Sequence, residues 1–417
     1  MRKAGNNMVD FWSFLLLVAV GVFCFFPAIA ENTPEIVRPK SIFVNVDFLD
    51  EMYFVWYGEK RGVTPADITN VVRNCKSIGA VGINWRVAPV GIVSHPSRLQ
   101  GDIEYAVAKG QHSAEVRKRL VPKEKNPIGY LRQDFVDFYR ATARSTPDAL
   151  AIAVAACHAA GLKINFWIDI HDEMFGKFVT EHPECLVRTT AGGTMPGVRD
   201  YGNPRAVAEK ITEIEELYFY RPDGFYFCPS CHSRHFDYEE EDGAFGVLSA
   251  SKFTDFIRKA RRSLSRRGFS LTVGTACGGL NFCSPHFSGH VKYRIEHDWK
   301  TWVDEHLVDA LVVGDFEILH GFGEDWIPRG VTREGGREPH EVFLPAYVDF
   351  VKGRVPLYAF TTWLTTTNIK GVMERTTDDV LKYGLDGAFV HEHHTLQTRT
   401  GGFDAAREMD RRFREGR

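Results

Sequence analysis

A refrain runs through the chain: a glycine or Asp-Gly corner, a short apolar run, then polar and aromatic residues. It reads Gly161-Leu-Lys-Ile-Asn-Phe-Trp-Ile-Asp169, Asp223-Gly-Phe-Tyr-Phe-Cys228, Asp309-Ala-Leu-Val-Val-Gly-Asp315 and Asp386-Gly-Ala-Phe-Val-His-Glu392. Short apolar strands that follow a helix C-terminus and alternate with helical stretches make βα units on a parallel sheet. Eight strands are expected, at Ile42–Asp47, Ala80–Arg86, Lys163–Asp169, Gly224–Cys228, Ser270–Thr275, Ala310–Asp315, Pro356–Thr361 and Ala388–Glu392. That number of βα repeats predicts an α/β fold, a (β/α)8 TIM barrel in a single domain over residues 31–417. A doubly wound open sheet is the alternative, but no glycine-rich nucleotide loop follows the first strand.

Helix starts are marked by Thr64-Pro65, Thr146-Pro147 and Asn203-Pro204, each a capping residue before a proline at the first helical position. Further helical patterns cover residues 249–266, 297–306, 338–352 and 377–383, with a charged stretch from Asp404. Connections leaving the strands are long (87–145, 175–202, 278–292 and 319–337), whereas those leading into them are short. In a barrel enzyme that asymmetry puts the chemistry at the strand-exit face.

The first thirty residues have the layout of a secretory signal peptide: Arg2 and Lys3, an apolar run from Phe11 to Phe26, then Ala28-Ile29-Ala30. Export to the periplasm or beyond is expected, with no membrane contact after cleavage; an uncleaved anchor is the alternative. A net charge of −3 with no basic block argues against a nucleic-acid partner. The exported part carries Cys75, Cys157, Cys185, Cys228, Cys231, Cys277 and Cys283, an odd set that leaves at least one thiol unpaired within a monomer. Cys75 and Cys157 fall on helical patterns and read as packing residues.

The strand ends are acidic. Asp47 closes the first, Asn84-Trp85-Arg86 the second, and Asp169 the third, followed by His171 and Asp172. His232 and Arg234 follow the fourth, Asp315 and Glu317 close the sixth, Trp363 follows the seventh, and His391-Glu392-His393-His394 closes the eighth. Paired carboxylates suit glycoside hydrolysis, one donating a proton to the leaving oxygen and the other attacking or activating water. Trp85 or Trp363 would stack on a sugar face, and Arg86 or Arg234 would grip hydroxyl or anionic groups. Glu392, Asp315, Glu317 and Asp169 are the expected catalytic residues. Asp47, Asn84, Trp85, Arg86, His171, Asp172, His232, Arg234, Trp363, His391 and His393 are the expected substrate contacts.

Pro222-Asp-Gly-Phe-Tyr-Phe, Asp309-Ala-Leu-Val-Val and Tyr383-Gly-Leu-Asp-Gly-Ala-Phe-Val-His-Glu resemble bacterial secreted family 10-like glycosyl hydrolases. The resemblance covers most of the exported chain and implies a TIM barrel acting on carbohydrate. The chain departs from it at Cys228, where related sequences often carry Asp, and at the seventh strand, which ends in threonines. The usual placement of acid and nucleophile after strands four and seven therefore does not transfer.

No cofactor is expected. Cys228-Pro-Ser-Cys231-His232 matches a haem-attachment pattern but starts on an apolar strand, so a disulfide or two thiols is the preferred reading. Two alternatives to a glycosidase stand: a metal-dependent hydrolase using the histidine-rich strand ends, and a non-catalytic carbohydrate-binding barrel. Alternation along a strand would send His391 and His393 one way and Glu392 the other. Oligomeric state is left open.

Overall fold

The computed structural model describes residues 38–57, 61–109, 133–171, 173–188, 194–228, 247–248, 250–275, 280–282, 294–314, 339–361 and 368–416. Eight parallel strands close into a barrel: β1 (Ser41–Asp47), β2 (Gly82–Arg86), β3 (Lys163–Asp169), β4 (Gly224–Cys228), β5 (Ser270–Thr275), β6 (Ala310–Val313), β7 (Leu357–Thr361) and β8 (Gly387–His391). Each strand pairs with its neighbours in chain order, and β8 closes on β1 with Ser41 opposite Gly387. Only glycine fits at that closure, because a Cβ on Gly387 would lie 1.9 Å from the Ser41 carbonyl oxygen.

The aspartates of the refrain staple the strand-start rim. Asp223 Oδ2 accepts from the Ile164 N–H at 2.9 Å, Asp309 Oδ2 from Leu271 at 2.7 Å, and Asp386 Oδ2 from Leu357 at 2.9 Å. Each aspartate precedes an even-numbered strand and satisfies a backbone donor of the odd-numbered strand before it. An Asp at this corner is thus a backbone partner for the sheet, which explains why the motif recurs.

Alternation along the strands sorts side chains into two cores. Phe43, Trp167, Tyr226, Cys228, Val312, Phe360 and Phe389 pack together inside the barrel. Residues of opposite parity, such as Val44, Ile83, Trp85, Phe166, Ile168, Phe225 and Val390, belong to the larger core beneath the helices. Cys75 and Cys157 are buried thiols in that outer core.

Several boundaries differ from the sequence reading. The helix expected from Thr146-Pro147 runs from Ala149 to Ala159 and is capped by Asp148, whose side chain accepts from the Ala151 N–H. Thr146 instead ends the preceding turn and donates to the Val63 carbonyl at 2.6 Å. A helix at Gln133–Ser145 and a hairpin pairing Leu186–Arg188 with Thr194–Arg199 lie inside segments read as loops. The helix before β8 spans Ile369–Tyr383, two turns longer at its start than expected, and ends on Gly384 at φ 69°. β6 ends at Val313 and β8 at His391, so Glu392 follows its strand and precedes a short helix, His393–Thr398. Among the described residues no helix is long and apolar enough to cross a membrane. The signal-like segment and the Cys231, Cys277 and Cys283 positions lie outside the described residues.

Candidate active site at the barrel mouth

Polar side chains climb the inside of β1, β2 and β3 in register. Asn84 donates to Asn45 Oδ1 at 2.8 Å, and Asn165 donates to Asn84 Oδ1 at 3.0 Å, forming an amide ladder across three strands. Two residues further along each strand, Arg86 bridges two carboxylates: its Nη1 donates to Asp47 Oδ2 at 2.5 Å and its Nε to Asp169 Oδ2 at 2.6 Å. All three are buried. The Arg86 guanidinium also lies 4.9 Å over the Trp167 ring, a cation–π contact strengthened by burial.

Trp167 links this triad to the end of β8. The His391 ring packs edge-on to it at 5.7 Å and against Phe360 at 5.3 Å, so His391 points into the lumen. Glu392 is 2 % exposed, with Oε1 3.0 Å from His391 Nε2 and Oε2 3.0 Å from His394 Nδ1. Because the strand ends at His391 and the chain turns into a helix, residues 391, 392 and 394 converge, and strand alternation does not separate them as expected. The second nitrogen of His394 meets Thr395 Oγ1 at 3.2 Å, and its ring stacks on Phe54 at 5.0 Å, a side chain that is 54 % exposed.

The electrostatics split these groups. Burial opposes charge on Glu392, but His391 and His394 more than offset it and hold the carboxyl well below the usual range. Burial also dominates at His391 and lowers its pKa despite Glu392. At His394 burial is outweighed by Glu392, and the imidazole is pushed up to about 9. The mouth therefore combines an ionised carboxylate, a neutral imidazole and an imidazolium in a dry setting, the kind of separation that proton-transfer chemistry needs. Ligand atoms of Asp50, Glu392 and His394 all lie within 4.8 Å of one another.

Of the residues expected at the site, the structure gathers Asp47, Arg86, Asp169, His391 and Glu392 at or just below the mouth. Asn84 belongs to the amide ladder one layer deeper. Trp85 faces outward, fully buried 5.5 Å from Phe48, because its neighbour Arg86 points inward. His171 packs behind the barrel wall against Tyr201 and Phe253. His393 turns to Glu51, with Nδ1 2.8 Å from Oε1, and packs on Phe403. Asp172, His232, Arg234, Asp315, Glu317 and Trp363 lie outside the described residues. Sequence reasoning passed over Trp167 and Phe54, and noted Asp50 only as an acidic residue following the first strand. Trp167 was accessible from parity, two residues before Asp169 on one strand face.

A second buried cluster lies where helix Pro204–Glu216 meets the hairpin. Arg199 Nε and Nη2 donate to Glu173 Oε2 and Glu213 Oε1, each at 2.5 Å. Lys210 donates to Glu173 Oε1 and lies 3.6 Å from Glu213 Oε2. Burial works against charge on Glu173, yet Arg199 and Lys210 hold its carboxyl below the usual range, whereas burial pushes Glu213 up. A cavity of about 20 Å³, room for one water, borders this cluster and Asp169.

The chain has the TIM-barrel fold. Its structure is similar to that of the endo-1,4-β-mannanase of Rhizomucor miehei (TM-score 0.52, 10 % identity, 91 % of this chain and 98 % of that one). It is also similar to the endo-β-1,4-mannanase of Thermotoga petrophila (TM-score 0.50, 12 % identity, 90 % and 77 %). At such identity the likeness is one of fold. No protein-family model matches the sequence, and no curated protein does.

Proposed function

We propose that the protein is a glycoside hydrolase that cleaves a poly- or oligosaccharide outside the cytoplasm, with its reaction centred on Glu392. The observation that carries this is the Glu392 carboxylate itself: buried at the end of β8, flanked by two histidines, and held ionised. An ionised carboxylate shielded from water is suited to attack an anomeric carbon or to take a proton from water. Asp169 is tied to Arg86 and shapes the floor of the site. The proton for the leaving oxygen is assigned to Asp315 or Glu317, which the sequence reading expects to close the sixth strand. Phe54 at the rim supplies an apolar face for a sugar ring, and the buried Trp167 supports Arg86 and His391 from below. The overall fold, shared with two mannanases, and the motifs resembling family 10-like glycosyl hydrolases support the same reading, and the signal-like N-terminus supports export.

The test is release of reducing ends by the purified protein from a panel of neutral, acidic and sulfated glycans. Cleavage of at least one glycan, lost in Glu392→Gln, is the expected result. Cleavage undiminished in Glu392→Gln would remove this residue from the centre of the reaction. Glycan binding without turnover by the wild-type protein would replace the enzyme reading with a binding one.

A further inference from the structure

We propose that Asp50, Glu392 and His394 form a binding site for one divalent transition-metal ion of the zinc or manganese kind. The inference deepens the reading of the same mouth and shares with it only the position of Glu392. Its first support is convergence: one ligand atom from each residue lies within 4.8 Å of the other two. Asp50 reaches the group from the turn after β1, and Glu392 and His394 come from the chain after β8, the two strands that close the barrel.

The second support is independent of proximity. Glu392 Oε2 and His394 Nδ1 are both buried and stand 3.0 Å apart as an ion pair, yet neither makes a well-directed hydrogen bond to the other or to any other described group. A buried polar atom without a hydrogen bond is costly, and this site holds two that face each other. Two ligands bound at about 2.1 Å to one ion, at roughly a right angle, are themselves about 3.0 Å apart. The spacing that fails as a hydrogen bond thus succeeds as a pair of ligands.

The outer atoms of the same side chains complete the pattern. The other Glu392 oxygen, Oε1, is engaged by His391 Nε2 at 3.0 Å, and the other His394 nitrogen, Nε2, meets Thr395 Oγ1 at 3.2 Å. An ion binding here displaces the Nδ1 proton of the imidazolium to solvent; Nε2 keeps its own and donates to Thr395 Oγ1, and the Nδ1 lone pair goes to the metal. Metal-binding histidines and carboxylates are ordinarily oriented by such outer contacts. One nitrogen and two carboxylate oxygens suit Zn²⁺ or Mn²⁺, and three protein ligands leave coordination positions open.

The experiment needs no glycan. Purified full-length protein is stripped with chelator, then titrated with ZnCl₂ and separately with MnCl₂ by calorimetry, and its metal content is measured after dialysis. One ion per chain is expected for at least one metal. Asp50→Asn and His394→Gln should each weaken binding at least about tenfold, and Thr395→Val, which removes only the outer contact, by about tenfold. His158→Gln, on the opposite rim beside Asp223, should bind as the wild type does. Absence of stoichiometric binding by the wild-type protein would overturn the proposal. So would equal affinity in folded Asp50→Asn and His394→Gln. Either failure leaves the glycan assay untouched, and a failed glycan assay leaves the titration untouched.

Discussion

The Glu173–Arg199–Lys210–Glu213 ring and the Glu392–His394 pair are equally hidden from water, but they differ in what their atoms have left to do. In the ring, two cations meet two carboxylates and every carboxylate oxygen faces a cation. That closure offsets part of the cost of burying charge, and it leaves no carboxylate oxygen available for a substrate. At the mouth, Glu392 Oε2 and His394 Nδ1 are buried without hydrogen bonds, and an exposed aromatic side chain stacks on the histidine. Shifted proton affinities occur in both clusters, so a shift alone does not mark a reactive site. What sets the mouth apart is that a carboxylate oxygen and an imidazole nitrogen there make no hydrogen bond, whereas in the ring it is a guanidinium nitrogen, Arg199 Nη1, that makes none.

The contrast is broken most forcefully at Glu392. Replacing it with glutamine keeps shape and should lower glycan cleavage by about 10²–10⁴-fold, read as initial rates of reducing-end release. The far-UV circular dichroism should be unchanged. In the ring the consequence moves to stability. Lys210→Met leaves two buried carboxylates facing Arg199 alone and should cost about 3–5 kcal/mol in urea unfolding. Adding Glu213→Gln restores charge balance and should recover most of that loss. A Lys210→Met protein as stable as wild type would show that the ring is not what holds this corner.

A third buried group sharpens the comparison because it belongs to neither cluster. His95 packs against Tyr220, with Asp148 and Glu216 nearby, and burial lowers its pKa to about 4. Unfolded, it titrates near 6.5, so between these values the unfolded chain binds the extra proton. The stability contributed by neutral His95 is complete above about pH 6.5 and is lost as pH falls towards 4, by about 3 kcal/mol. His95→Leu should flatten that part of the pH–stability curve. The smallest effect is expected at the opposite rim: Asp386→Ala leaves the Leu357 N–H without its carboxylate and should cost about 1–3 kcal/mol while sparing cleavage.

Much of the barrel was legible because the Asp-Gly corners and apolar runs have one physical use. Where the aspartate staples a neighbouring strand, the motif and the fold are the same fact. The mouth was less legible. Asp47, Arg86 and Asp169 could be read as strand-end polar residues, but their mutual bonding depends on register between strands far apart in sequence. Trp85 was misjudged because residue type was weighed above parity; its neighbour Arg86 takes the inward position. Glu392 looked misdirected because alternation was extended one residue beyond the strand. The Gln133–Ser145 helix was lost in a long connection, as no capping signal precedes it that sequence alone could separate from the charged run before it.

The most direct single measurement is a crossed one: glycan cleavage and urea unfolding, taken on the same preparations of wild type, Glu392→Gln and Lys210→Met. Glu392→Gln should lose cleavage while its unfolding midpoint stays close to wild type, and Lys210→Met should lose stability while the fraction still folded cleaves normally. The opposite pattern, with cleavage surviving in Glu392→Gln and abolished in folded Lys210→Met, would place the reactive centre in the ring and contradict its assignment to the barrel mouth.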